Sequence, residues 1–272
     1  MSRQPPGTPF AHRYWFPLAA LYSALIVPWS VGGQVGWWLA PAGLRTGWGH
    51  GHEMLFGYAL AVVAGFLLGP QPRRQTVLLC AVWLSARIAF LCWPQGALTG
   101  LLNAAVVLAL AYKLVPVFLK TAKKWRNRSV AVIVIGLALS VAGFHLAVRA
   151  AGALPIARSM LLEAVLLLSA LMFFIGGRML APAIAGHLQD KHIRLQARVQ
   201  PTLEAAVLLL MATLLLVRLL PFGWIGAAVA VLLFACAALT AAKASHAVTA
   251  MATRVSHFMM PSPELAPILG QP

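Results

Sequence analysis

The sequence predicts an all-α transmembrane bundle of about eight helices with both termini in the cytoplasm, and three observations lead to this fold. Hydrophobic residues make up 61% of the 272-residue chain and charged residues only 10%, more apolar surface than a soluble domain could cover. Apolar runs of about 20 residues, the length that crosses a bilayer, recur between charged or Pro- and Gly-rich breaks. Finally, most basic residues fall in every second connection between these runs, which places them on the same side of the membrane.

The predicted spans follow one another through short connections such as Pro94-Gln95-Gly96 and Pro221, which make neighbouring helices antiparallel. We expect them to form one membrane domain, 1–242, followed by a cytoplasmic tail, 243–272. The first span is expected to remain as an anchor, because the segment before it lacks the layout of a cleaved secretory signal. In chain order, the spans are Phe16 to Val35, Glu53 to Gly69, Gln75 to Trp93, Ala97 to Leu119, Ser129 to Val148, Ile156 to Leu180, Pro201 to Leu220 and Phe222 to Ala242.

Basic residues set the orientation, because Lys and Arg in short loops are retained in the cytoplasm. The cytoplasmic set is Arg3, Arg13, Arg73, Arg74, Lys113, Lys120, Lys123, Lys124, Arg126, Arg128, Arg178, Lys191, Arg194, Arg198, Lys243 and Arg254. The smaller outward set is Arg45, Arg87, Arg149, Arg158 and Arg218. The formal net charge of +16 therefore reflects membrane orientation, and we expect no nucleic-acid partner.

Ionisable side chains at membrane depth are costly unless they are paired, hydrated or bound, so each is a candidate for function. With the predicted orientation, the intramembrane polar residues all fall toward the outward ends of their spans. These residues are His50, His52, Glu53, Arg87, Asn103, His145, Arg149, Arg158 and Glu163. The sequence therefore predicts a polar site in the outer half of the bundle.

Helical spacing indicates which faces meet at this site. On the second span, small residues follow Glu53 at every fourth position, from Gly57 to Gly69, and another backbone or a flat cofactor could approach this stripe closely. On the fifth span, His145 shares a face with Ala138 and Ala142, and Arg149 lies one turn beyond it. We therefore expect His145 to face the bundle interior.

Two cofactors fit these residue types. A b-type haem needs imidazoles from different helices and cations near its propionates, which His145 with His52 or His50, and Arg87 or Arg149, could provide. Copper fits the imidazoles and thioether of His50, His52 and Met54, which lie within five residues of sequence. Simpler interpretations stand beside both: a hydrated His pair, a hydrogen-bonded His145, snorkelling arginines and a stripe used only for helix packing.

Several segments resemble the motifs of one known family, the NnrS family of multispan bacterial membrane proteins, and they occur in that family's order between Pro9 and Leu180. The weaker matches are Pro9-Phe10 and Arg87. The stronger ones are His50-Gly51-His52-Glu53-Met54-Leu55-Phe56-Gly57, Ala64-Gly65-Phe66-Leu67-Leu68, Trp125-Arg126-Asn127, Phe144-His145-Leu146 and Ile175-Gly176-Gly177-Arg178.

The resemblance implies a multi-pass protein of the bacterial cytoplasmic membrane that is associated with haem, copper and the nitric oxide response of denitrifying or nitrosatively stressed cells. We expect membrane lipids and nitric oxide as its contacts and a binding role rather than turnover. His52 and His145 are the first candidates for cofactor ligands, with His50 as the alternate. Glu53 and Arg178 match family positions, and Glu53 could orient an imidazole.

Two other functions also fit the residues. One is a haem enzyme or electron-transfer protein that processes nitric oxide, which would need an open haem position or a second redox centre. The other is a transporter that holds a small anion or a metal between the arginines and histidines, for which Pro28 and Pro116 would supply helix breaks.

Overall fold

The computed structural model describes residues 8–120, 125–189 and 209–214, with side chains at all of these except 125–127 and 177–189. The chain forms two compact units, Met1–Leu180 and Ala181–Pro272. Apart from one β-bridge between Phe10 and Pro70, the regular structure of the described residues is helical, and the all-α prediction is confirmed at this level.

Six long helical stretches follow one another between residues 12 and 189. We number them α1 to α6 in chain order, and a single 3-10 turn, Ala42–Leu44, precedes the second. The helix α2 is continuous over 47–67 but contains three parts, Gly47–His52, the π-helical Glu53–Ala59 and Leu60–Leu67. The others are α1 His12–Gln34, α3 Arg73–Cys92, α4 Ala97–Lys120, α5 Trp125–Ala147 and α6 Leu154–Gln189.

Within the described residues, five helices are long and apolar enough to cross a membrane. They coincide with the first, third, fourth, fifth and sixth predicted spans, and α2 contains most of the second. The five are His12–Gln34, Arg73–Cys92, Ala97–Lys120, Arg128–Ala147 and Leu154–Gly176. The chain is therefore a membrane protein with several spanning helices.

The last predicted spans are only partly covered by the structure. Residues 209–214 of the seventh, Pro201 to Leu220, are helical, whereas the eighth, Phe222 to Ala242, and the tail 243–272 lie outside the described residues. The helix α6 continues past the predicted end at Leu180, because Pro182 lies inside it rather than ending it. A proline removes one backbone hydrogen bond from a helix and can be accommodated within it. The eight-span count and the orientation stay predictions.

The small residues of α2 form the surface on which α1 packs. A Cβ at Gly65 would lie 2.5 Å from Cε1 of Phe16, and one at Gly57 would lie 3.0 Å from Cε1 of Tyr22. The distance at Gly65 is too short for a larger side chain unless Phe16 moves, and the distance at Gly57 is tighter than most Cβ contacts, so both glycines favour the close approach of α1. The packing interpretation of the stripe accounts for these two positions.

The helices α5 and α6 use glycine in the same way. A Cβ at Gly136 would lie 3.0 Å from Leu167, and one at Gly143 would lie 2.7 Å from Sδ of Met160. Since the earlier glycine faces the later partner, the two helices run antiparallel, as the short connection between them requires. The α5 face that carries these two glycines therefore packs on α6, and His145, roughly 180° around the helix from Gly136, lies on the opposite face.

Candidate functional site

The site begins where α2 changes its helical geometry. Thr46 caps the helix, its side chain accepting a hydrogen bond from the backbone N–H of Gly49. At Glu53 the helix widens into a π-helical stretch, and the N–H of Leu60 reaches back to the carbonyl of Leu55. Such stretches often occur at functional sites. Here it coincides with two consecutive buried polar residues, His52 and Glu53, both fully inaccessible.

Glu53 receives hydrogen bonds from three helices. Its Oε1 accepts from Nη1 of Arg87 on α3 at 2.9 Å and lies 2.8 Å from Nδ1 of His52, while its Oε2 accepts from the hydroxyl of Tyr22 on α1. A buried carboxylate without partners would cost several kcal/mol. The three donors therefore allow Glu53 to remain ionised at the centre of the bundle.

Arg87 extends this network to α4. Its Nη2 donates to Oδ1 of Asn103, whose Nδ2 in turn donates to the backbone carbonyl of Thr99 at 2.9 Å. Arg87 is only 1% exposed, and its Nε has no hydrogen-bond partner among the described residues. Arg87 was predicted to bind a haem propionate or another anion. In the structure, Glu53 and Asn103 already accept hydrogen bonds from its two terminal nitrogens.

The two candidate ligand histidines are in direct contact. Nε2 of His52 lies 3.1 Å from Nε2 of His145 on α5. Because an ionised carboxylate can only accept, Nδ1 of His52 carries the proton that it donates to Glu53, which leaves Nε2 as an acceptor for the N–H of His145. Gly100 of α4 packs beside this residue, with its ideal Cβ position 3.4 Å from Cβ of His145, an ordinary van der Waals distance. The prediction that His145 faces the interior is confirmed by its 5% exposure.

Aromatic rings enclose this histidine pair. Phe90 stacks on His52 with ring centroids 3.6 Å apart and planes inclined by 7°. Phe144 and Phe56 contact the same imidazole at centroid distances of 4.8 and 5.2 Å. These rings keep water away from the imidazoles and hold the His52 ring in one orientation.

The structure separates His50 from His52. Nδ1 of His50 lies 3.0 Å from Oγ of Ser30 on α1, a hydroxyl that also accepts from Nε2 of Gln34. Residues two positions apart on a helix point roughly 200° away from each other, so the two imidazoles face different neighbours. The copper site predicted from His50, His52 and Met54 is therefore not assembled in this geometry; Met54 is half-buried.

The outlying arginines also lie apart from the cluster. Arg149 is exposed in the turn that follows α5, and Arg158 is exposed on α6. Long cationic side chains near helix ends keep their charges in water, which explains both positions. Glu163, in contrast, is buried on α6. The side chain of Arg178 lies outside the described residues, although its backbone is part of α6.

A comparison with protein families identifies the chain at this point. The model of one family, described as NnrS protein, matches residues 8–259. The chain belongs to the NnrS family. The prediction made from the sequence motifs is thereby confirmed, and it extends beyond the motif-bearing part. Searches of curated proteins and of solved structures found no match.

Tyr22 and Phe90 are residues of this NnrS site that the sequence analysis did not reveal, and Tyr22 is the polar one. It lies on the buried face of α1, which recurs at three- and four-residue steps through Trp15, Ala19, Tyr22, Ile26 and Ser30. A hydroxyl on the buried face of a membrane helix needs an internal partner. That signal could have marked Tyr22, but the sequence does not indicate that Glu53 is the partner.

The donor set of this NnrS chain fits a single metal ion held between two imidazoles. Nitrogen ligands bind zinc at roughly 2.0 Å and copper at a similar distance, so two on one ion lie no more than about 4 Å apart, and the 3.1 Å between His52 and His145 is within that limit. Glu53 on the far nitrogen of His52 reproduces the carboxylate–histidine arrangement that orients metal ligands. Within the described residues, no group of three or more His, Cys, Asp and Glu could hold a metal.

The same pair fits haem less well. Axial ligands bind haem iron from opposite faces of the porphyrin, so a haem shared by both imidazoles would have to lie between them. The direct hydrogen bond between the two Nε2 atoms and the stacked ring of Phe90 fill that space. Copper, which accepts imidazole ligands, suits this arrangement better than a porphyrin does.

Proposed function

We propose that this NnrS-family membrane protein binds copper through His52 and His145 and acts in the bacterial response to nitric oxide. The proposal depends on one observation, the 3.1 Å separation of two Nε2 atoms on different helices, one of which has its other nitrogen engaged by a buried carboxylate. Bound copper would supply a one-electron redox couple in a site enclosed by aromatic rings. The link to nitric oxide comes from the family resemblance.

Each residue of the network has a distinct part in this proposal. His52 and His145 would supply the ligand nitrogens, and for His145 to bind through Nε2 the proton on that nitrogen would have to move to Nδ1 of the same ring. Glu53 holds the proton on Nδ1 of His52, which keeps the lone pair of Nε2 directed at the site. Arg87 and Tyr22 hold Glu53, and Asn103 holds Arg87. Haem b, bound through the same two histidines, is the second candidate and is separated from copper by its spectrum.

Metal analysis and absorption spectroscopy of the purified protein test the proposal. We expect copper in the wild-type protein, its loss in His145→Ala, and its retention in His50→Ala, which alters the same residue type next to the site but outside the pair. A Soret band that is present in the wild-type protein and disappears in His145→Ala would show that the cofactor is haem rather than copper. If the folded wild-type protein contained neither copper nor haem, both assignments would be wrong.

The physiological part needs a separate experiment. A strain that lacks the gene is complemented with the wild-type protein, with His145→Ala or with His50→Ala, and its growth is followed during exposure to a nitric oxide donor. We expect His50→Ala to restore growth as the wild type does and His145→Ala to restore it poorly. Equal growth of all three strains would contradict a role for the pair in the nitric oxide response.

A further inference from the structure

The connection between α1 and α2 carries an apolar surface that the proposed metal site does not use. Residues 35–41, which we call the Trp loop, have the sequence Val-Gly-Trp-Trp-Leu-Ala-Pro, and no charged residue occurs in the sequence between Val31 and Leu44. Trp37 and Leu39 are 75% and 82% exposed. A water-exposed connection would ordinarily carry charged or polar residues at such positions.

The Trp loop folds back along the last turns of α1 instead of extending away from them. Gly36 adopts a φ of 82°, which reverses the chain, and the N–H of Trp37 donates to the carbonyl of Gly32 at 2.8 Å. The loop packs closely against the helix, since a Cβ at Gly32 would lie 2.2 Å from the ring of Trp38, and one at Gly33 would lie 2.4 Å from Ala40.

The hydrogen bonds of two indoles show how far back the loop reaches. Nε1 of Trp38 donates to the carbonyl of Trp29 at 3.0 Å, and Nε1 of Trp29 donates to the carbonyl of Leu39 at 3.4 Å. Leu39 therefore lies level with Trp29, roughly 7 Å before the end of α1. Both indole N–H groups are satisfied within the protein, so these rings can enter an apolar layer without losing a hydrogen bond.

The exposed side chains of the loop continue the lipid-facing surface of α1. Leu21, Leu25, Trp29 and Val31 are all exposed on this membrane helix, and the Trp loop extends this apolar surface at its end. Irregular backbone is not tolerated against lipid in the hydrocarbon core, whereas tryptophan is enriched at the boundary between headgroups and acyl chains. The loop has an irregular backbone and exposed apolar side chains that include tryptophan. This combination fits the interfacial layer, and it fits neither bulk water nor the hydrocarbon core.

We infer that the Trp loop is a membrane anchor that lies in the interfacial layer of the bilayer and binds lipid through Trp37 and Leu39. A spin label reports its surroundings directly when it is attached to Leu39→Cys in a variant whose native cysteines are replaced by alanine. The protein is reconstituted in vesicles, and collisions of the label with oxygen, which concentrates in lipid, are compared with collisions with a water-soluble nickel complex.

Two further positions serve as references. Gly47→Cys, at the start of α2 where no described atom lies within 4 Å of its Cβ position, represents water, and Leu25→Cys on the exposed face of α1 represents lipid. We expect the oxygen-to-nickel ratio at Leu39 to be several-fold above that at Gly47 and close to that at Leu25. A ratio equal to that at Gly47 would place the loop in water and overturn the inference. Low accessibility to both reagents would mean that another protein surface, such as a second copy of the chain, covers the loop. That result would also overturn the inference.

A second measurement, of tryptophan fluorescence, uses protein that keeps its native cysteines. Lipids brominated near the headgroup quench the fluorescence of indoles at that depth, so Trp37→Phe is expected to lower the fraction of emission that they quench. Trp83→Phe is the matched control, because Trp83 is fully buried and its loss should not lower the quenchable emission. No difference between Trp37→Phe and the wild-type protein would contradict the inference even if the labelled variants failed to fold.

Discussion

The imidazoles of His52 and His145, which are far apart in sequence, meet through their Nε2 atoms at 3.1 Å inside the bundle. One belongs to α2 and the other to α5, and the pair is therefore formed by helix packing and not by local sequence. Its outer partners, Glu53, Arg87 and Tyr22, come from α2, α3 and α1. A single network of hydrogen bonds consequently connects the helices that enclose the site.

Glu53→Gln is expected to destabilise the protein by about 3–5 kcal/mol, because it leaves the charge of Arg87 buried without its counterion. The measurement is the free energy of unfolding in detergent micelles. The double variant Glu53→Gln with Arg87→Met removes both charges and should recover part of this loss. If the double variant were as unstable as the sum of the two single variants, the ion pair would not be energetically coupled.

Tyr22→Phe is expected to weaken copper binding by about 10- to 100-fold, the range found for residues that position a metal ligand. The change removes one donor to Glu53 while it preserves the ring. Competition with a copper chelator measures the affinity, and Tyr58→Phe on the exposed side of α2 is the matched control. Unchanged affinity in Tyr22→Phe, with copper bound normally by the wild type, would show that this hydroxyl does not act on the metal.

Gly65→Ala is expected to reduce stability by about 1–3 kcal/mol, since the added Cβ would collide with Phe16 where α1 crosses α2. Gly176→Ala is the control, because no atom of the described residues lies within 4 Å of the position that its Cβ would take. That substitution should be neutral or stabilising by up to about 1 kcal/mol, as for other glycines inside helices. Thermal unfolding of both variants gives the comparison, and equal losses would argue against close packing at Gly65.

The predicted orientation can be tested by labelling single cysteines from one side of the membrane. Arg74→Cys and Gly47→Cys, each in a variant without native cysteines, lie at opposite ends of the bundle. A thiol reagent that does not cross membranes should react with Gly47→Cys in intact cells from which the outer membrane is removed, and with Arg74→Cys only in inverted vesicles. The reverse pattern would invert the predicted topology.

The sequence by itself determined the helical class, the family, and four of the predicted spans, the first, third, fourth and fifth, to within about four residues of the observed helices. Apolar length and charge carry this information, because a bilayer demands runs of about 20 residues and satisfied backbone groups. The cost of buried charge also placed His52, Glu53, Arg87 and His145 among the nine candidates for a polar site, together with Arg149 and Arg158, which lie exposed and apart from it. The first four residues lie together in the structure.

Only the tertiary structure decided how those residues pair. The sequence offered His52 as the first candidate ligand and His50 as its alternate, whereas the structure gives His50 a serine of α1 as partner and His52 a histidine of α5. It assigned Arg87 to an anion, but Glu53 and Asn103 occupy its terminal nitrogens. Helical periodicity states which residues share a face and not which neighbouring helix that face meets, so partners from other helices, Tyr22 above all, become known only when the bundle is assembled.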